Sequence, residues 1–176
     1  MTTEVTPDLP PVPGSMPFVH NLDTAPAYWW LDILWVILVH GDDTGGRYSL
    51  MYEALPRASG APPHKHTWSD EHFYILDGDV TFLVGEEIRT SHQGDFVFVP
   101  RNTRHAFRVD SETAAFLNGY TPAGLEMAVA EMATPAPERV IPPKGATPMP
   151  NMDSEHYRRY GMDNLPGPNP LAPDGH

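Results

Sequence analysis

Between Tyr28 and Met132 the chain sets short β-branched and aromatic runs between Gly- and Pro-marked turns. WWLDILWVILVHG predicts one strand, DDTGG a turn and RYSLMYEALP a second strand; SGAPP predicts a loop. HKH then opens a strand, and EHFYILDGDVTFLV predicts a hairpin turning at Asp77-Gly78. A turn at Gly85-Glu86-Glu87 leads toward Ile88, and DFVFVP runs from Gly94 to a stop at Pro100. HAFRVDS, AAFLNGY and LEMAVAEM complete the series, although Leu, Glu, Met and Ala in the last also favour helix. Such spacing predicts an all-β antiparallel sandwich or barrel. The one helix expected is SEHYRRYG, residues 154–161, with Ser154 as N-cap and Gly161 as stop. Ile33 to Val39 is apolar on both faces, which calls for a second buried surface. A homodimer would supply it, as would the chain's own proline-rich arms.

Composition sharpens this picture. The 176 residues are 40% hydrophobic, enough for one cored domain. The 21 prolines crowd toward both ends and divide the chain into an N-terminal arm (1–27), a barrel (28–133) and a C-terminal extension (134–176). Cysteine is absent, which excludes disulfides, thiolate ligands and a thiol nucleophile and fits a cytoplasmic setting. A net charge of −12 with only two lysines, Lys65 and Lys144, argues against nucleic acid and anionic membrane surfaces as partners. The first residues carry neither a basic nor an apolar segment of the signal-peptide kind.

Chemistry concentrates in four residues. His64 and His66 are two apart, so an extended strand projects both from one face. Glu71 follows after a stretch long enough to bring its carboxylate round, and His105 opens a later strand. Three imidazoles and a carboxylate suit one divalent ion such as Fe, Ni, Mn, Cu, Co or Zn. An octahedral ion so held keeps two positions open for substrate, water or dioxygen. His72 alternates away from Glu71, and His20, His40, His92, His156 and His176 fall in ends or turns.

Alternation also predicts a pocket. Phe107 and Val109 share the parity of His105, and Phe73 and Ile75 that of Glu71. Tyr48, Leu50 and Tyr52 form one face of the second strand, with the inward face left open by the pattern. The expected lining is thus Tyr48, Leu50, Tyr52, Phe73, Ile75 and Phe107. So few cations point to a flat, greasy organic molecule rather than a sugar phosphate.

The spacing His64-Lys-His66-(x4)-Glu71-(x6)-Gly78 resembles the first cupin motif, and Gly94-(x5)-Pro100-x-Asn102-(x2)-His105 the second. The resemblance spans roughly residues 28–132 and implies a jelly-roll barrel with the ligands inside. Three positions depart from the pattern. The glycine before the first His is displaced to Gly60, Asn102 replaces a glycine, and Val109 stands where the motif ends in Asn. Asn also tolerates a left-handed turn, so the geometry can survive. DDTGGRYSLMYEALP leading into PPHKH, with the RRYGMDNLPGP tail, resembles the single-domain quercetinase-like group. That resemblance implies a metal-dependent dioxygenase acting on a flavonol or related aromatic enol, with Glu71 both ligand and general base. A non-redox cupin isomerase, lyase or cyclase would use the same Lewis acid, and a non-catalytic binding cupin is a further alternative. A requirement for dioxygen separates them.

Overall fold

The computed structural model describes residues 17–147 and 157–172. Twelve strands are assigned among them: β1 Ala27–Trp30, β2 Ile33–Val39, β3 Ser49–Pro56, β4 Gly60–His66, β5 Asp70–Asp77, β6 Val80–Val84, β7 Glu87–Ser91, β8 Phe96–Val99, β9 His105–Val109, β10 Thr113–Thr121, β11 Thr134–Pro135 and β12 Met162–Asn164. They form an antiparallel sheet of seven strands, β11-β1-β2-β3-β10-β5-β8, and one of five, β12-β4-β9-β6-β7. The two make the expected all-β jelly roll. Inward residues of both sheets meet in one core that includes Trp35, Met51, Phe73, Phe82, Phe107 and Phe116.

Several local expectations change. WWLDILWVILVHG is two strands, β1 and β2, because Leu31 takes a φ of 59° and reverses the chain. DDTGG contains one helical turn, α1 Gly41–Thr44, capped by the His40 side chain. SGAPP is not all loop: β4 starts at Gly60, so His64 and His66 end that strand instead of opening it. Asp77-Gly78 turns no hairpin. Here the chain crosses between sheets, β5 pairing with β10 and β8 while β6 pairs with β7 and β9. The local hairpin is β6–β7, turning at Gly85 and Glu86.

LEMAVAEM follows its helix propensity and forms α2, Leu125–Met132, burying Leu125, Ala128 and Val129. Of the expected C-terminal helix, Ser154 to His156 lie outside the described residues; Tyr157 and Arg158 are helical. No described helix is long and apolar enough to cross a membrane.

The apolar outer face of β2 is covered from within the chain. Leu34 and Val36 cluster with Ala25, Trp29 and Ala136. Arg139 locks this cover by donating to the carbonyls of Leu22 and Ala25, and Trp29 Nε1 donates to Val140 O. The two-faced strand therefore needs no partner subunit to bury it.

Gly60, the displaced glycine, has a steric role of its own. A Cβ there would lie 2.0 Å from the carbonyl oxygen of Phe107 on β9. Backbone cannot yield as a side chain can, so Gly60→Ala should force β4 and β9 apart. We expect a loss of about 2–3 kcal/mol in stability, read by denaturant unfolding, with weaker metal retention because both strands carry histidines of the site.

Candidate metal centre

The two sheets bring His64, His66, Glu71 and His105 together, all four buried. His64 and His105 are cross-strand partners on β4 and β9, and His66 lies two residues along β4 on the same face. Glu71 reaches in from β5 of the opposite sheet. Asn102 takes the left-handed φ of 65° that its motif position requires. Its N–H donates to His66 O (2.7 Å), tying the turn before β9 to the end of β4.

Second contacts fix each ring and the carboxylate. His64 Nδ1 donates to Pro62 O (2.8 Å) and His105 Nδ1 to Thr103 O (2.9 Å). A carbonyl only accepts, so these contacts place the proton on Nδ1 and leave Nε2 of a neutral ring as a lone pair. Burial, then the neighbouring His105 and His66, holds His64 well below the usual imidazole pKa. Glu71 Oε1 accepts from Tyr120 Oη (2.5 Å) and Asn118 Nδ2 (3.0 Å). Burial, then the charges of Glu71 and Glu53, raises the Tyr120 phenol, which keeps it a donor.

The remaining atoms face one another. Glu71 Oε2 lies 2.8 Å from His105 Nε2 and 3.4 Å from His66 Nε2. None of the three has a satisfactory hydrogen bond, and all are buried. One proton could bridge a single imidazole to the carboxylate: the pull of Glu71 raises His105 against the opposing effect of burial. Burial likewise opposes ionisation of Glu71, but His66 and His105 outweigh it and hold the carboxyl well below its ordinary value. That proton would satisfy only one of the two imidazoles, because His66 Nε2, 3.4 Å from Oε2, makes no hydrogen bond. A divalent cation satisfies every one of these atoms. With ligand bonds of about 2.1 Å, adjacent donors stand roughly 3 Å apart, close to both measured separations. All four ligand atoms lie within 4.8 Å of one another. The donor set thus fits one divalent metal ion, its identity open.

A cavity of about 70 Å³ adjoins the cluster, lined by His64, Glu71, Asn118 and Tyr120 and walled by Trp30, Trp35, Phe73 and Phe107. Of the expected lining residues, Phe73 and Phe107 are there, and Ile75 is buried deeper in the core. Tyr48, Leu50 and Tyr52 are not. On β3 the buried, inward parity is Ser49, Met51, Glu53 and Leu55, which turns the other three outward. Tyr52 packs instead in the outer cluster beside β2.

Sequence reasoning passed over Glu53, Trp30, Asn118 and Tyr120. It also passed over Leu125, Tyr157 and Met162, which close the cavity from α2 and the C-terminal segment. The parity of Glu71's neighbour strand could have pointed to Asn118 and Tyr120. His72 faces away from the cluster and stacks on Phe96. Among the other described histidines, His20 contacts Leu38 O, His40 caps α1 and His92 pairs with Asp79.

Residues 50–119 match the family model described as "Cupin domain", so this part of the chain is similar to the cupins, in line with the jelly-roll fold and the His/Glu cluster described above. Quercetin 2,3-dioxygenase of Bacillus subtilis (strain 168) is 27% identical over 130 residues, 73% of this chain. The chain spans only 38% of that relative's length. That relative belongs to the quercetinase-like group which DDTGGRYSLMYEALP and the RRYGMDNLPGP tail resemble. Among solved structures, KdgF from Halomonas sp. aligns with a TM-score of 0.56 at 18% identity, over 64% of this chain and 99% of that one. The polyketide cyclase RemF from Streptomyces resistomycificus aligns at 0.53 and 19% identity, over 60% and 80%. At these identities the two structures speak for the fold alone.

Proposed function

We propose that this chain is a cytoplasmic, metal-dependent dioxygenase that cleaves a flavonol or a related aromatic enol. The observation that carries the reading is the arrangement of His64, His66, Glu71 and His105, with unpaired donor atoms turned on one point beside an aromatic cavity. Likeness to a quercetin 2,3-dioxygenase supports the reaction class. A divalent ion held by these four residues would act as a Lewis acid, lowering the pKa of an enolic hydroxyl.

The chain's own residues supply the rest. Tyr120 and Asn118 both donate to Glu71 Oε1 and so aim Oε2 at the metal position. In that place Oε2 can also accept the hydroxyl proton of the substrate. Trp30, Trp35, Phe73 and Phe107 exclude water and hold a planar ring. The cavity is nevertheless small. An engineered apolar void of about 150 Å³ has room for one benzene, whereas the space here is about 70 Å³. A three-ring flavonol must displace part of the wall. Strand residues cannot move without breaking their ladders, so we assign the opening to the C-terminal segment, where Tyr157 stacks on Trp30 at 6.0 Å.

Tyr157→Ala removes that cover. It should lower the melting temperature, since Tyr157 is 1% exposed, and shift KM more than metal content. Unchanged KM and melting temperature would show that Tyr157 covers nothing of consequence.

We also assign a homodimer, on the outer face of edge strand β8. Phe96 and Phe98 are exposed there beside Tyr74 and His72 of β5. Sedimentation equilibrium should give twice the chain mass, and Phe98→Glu should halve it; a monomeric parent protein removes the assignment.

The reaction is tested by following oxygen uptake and flavonol absorbance with each candidate metal reconstituted in turn. Oxygen consumption matched to flavonol loss, with carbon monoxide released, is expected from at least one metal form. If no form consumes oxygen while the holoprotein isomerises or dehydrates a substrate anaerobically, the non-redox alternative replaces this reading.

A further inference from the structure

The cavity wall holds a second carboxyl group that the proposed reaction does not use. On the inner faces of β3, β10 and β5, the residues fall into cross-strand rows. Ser49, Tyr120 and Glu71 make one row, Met51, Asn118 and Phe73 the next, and Glu53, Phe116 and Ile75 the third. Glu53 therefore sits two rows from Glu71 along the barrel. It is 1% exposed and lines the cavity, and its Oε1 has no hydrogen-bond partner among the described residues. Trp30 lines the same cavity, and its indole Nε1 is equally buried and unpartnered.

An unpaired buried acceptor or donor destabilises the fold, and a charged one does so more. With Asn118 Oδ1, buried and unpartnered on the same wall, they are three such groups, enough together to need a cause. Neither Glu53 nor Trp30 caps a helix or bridges strands, and both line a space bounded by aromatic rings.

We propose that Glu53 and Trp30 are specificity-determining residues that receive a hydroxyl group on an aromatic ring of the substrate, at the end of the cavity remote from Glu71. The inference rests on the reading of the site as one for aromatic enols and adds which substituents the ring must carry. Trp30 can only donate. Glu53 accepts when ionised. Burial, then the charge of Glu71, raises its proton affinity well above the ordinary carboxyl range, so it can donate as well. A hydroxyl both accepts and donates and so pairs with either residue. A bare aromatic ring would leave both groups unsatisfied, and a site built to hydrogen-bond discriminates strongly against such an analogue.

Single-ring probes test this on the metal-loaded protein: phenol against benzene, by calorimetric titration, for the parent protein, Glu53→Met and Glu53→Gln. The parent should prefer phenol by at least about tenfold, the size of one buried hydrogen bond. Glu53→Met should lose that preference while keeping its metal, and should melt a few degrees higher because the unpaired carboxyl is gone. Glu53→Gln should restore part of the preference. Phenol preferred no more than benzene by the parent, or a preference that survives Glu53→Met, overturns the proposal. Should Glu53→Met fail to fold, Trp30→Phe, which removes the other hydroxyl partner, decides: a phenol preference equal to the parent's overturns the proposal. A protein that selects phenol through Glu53 yet consumes no oxygen with any flavonol keeps the hydroxyl receptor and loses the dioxygenase reading.

Discussion

Glu71→Gln is expected to lower turnover per bound metal ion by about 10²–10⁴-fold, the usual worth of a positioned general base. The carboxylate has two separate tasks. Oε1 accepts from Tyr120 and Asn118, and Oε2 faces the imidazoles of His66 and His105. Glutamine has only one oxygen. If it stays with Tyr120 and Asn118, the amide nitrogen takes the place of Oε2, where a hydrogen-bearing group cannot bind a cation. If it flips, the amide hydrogens meet the donors of Tyr120 and Asn118. Either way metal content should fall severalfold. Turnover should fall much further, because an amide cannot take the substrate's proton. Metal analysis and oxygen uptake on one sample separate the two losses. Turnover per metal within tenfold of the parent would leave Glu71 as a ligand only.

His66→Ala should abolish most metal binding. Its Nε2 is one of the cluster's three buried atoms that make no hydrogen bond, which leaves it to the metal. Metal that binds only the folded chain stabilises it by mass action, about 4 kcal/mol at a thousandfold excess over Kd. Added metal should therefore raise the melting temperature of the parent protein and leave that of His66→Ala unmoved. An equal rise in both would remove His66 from the site.

The His64–His66 half of the cluster was legible in the sequence because its geometry is local, while Glu71 and His105 were legible only through the spacing of the two motifs. Two histidines at i and i+2 on a strand share a face whatever the rest of the fold does. Asn102 was equally readable, since a left-handed turn is a property of one residue. The pocket was less so. SLMYEALP reads as apolar at Leu50, Tyr52 and Ala54 and as mixed at Ser49, Met51, Glu53 and Leu55. The apolar face turned out to be the outer one, buried beside β2 and the segment near Ala136. A strand covered on both faces carries no polar side to orient it. Glu53 was invisible for the same reason: a charge on a strand reads as solvent-facing until the topology closes over it.

The hairpin at Asp77-Gly78 failed differently. Turn chemistry specifies a reversal but not the sheet that the next strand joins, and here β6 joins the sheet opposite β5. The contribution of Tyr157, Met162 and Leu125 to the cavity depends wholly on long-range packing, which no pattern in the tail announces.

X-ray absorption at the metal edge, on protein reconstituted with a single divalent ion, tests the metal centre most directly. Three histidine nitrogens and one carboxylate oxygen at about 2.0–2.2 Å are expected, with one ion per chain and loss of the imidazole scattering in step with His66→Ala. A shell of oxygens without imidazole, or a chain that takes up no ion at its folded site, would contradict it.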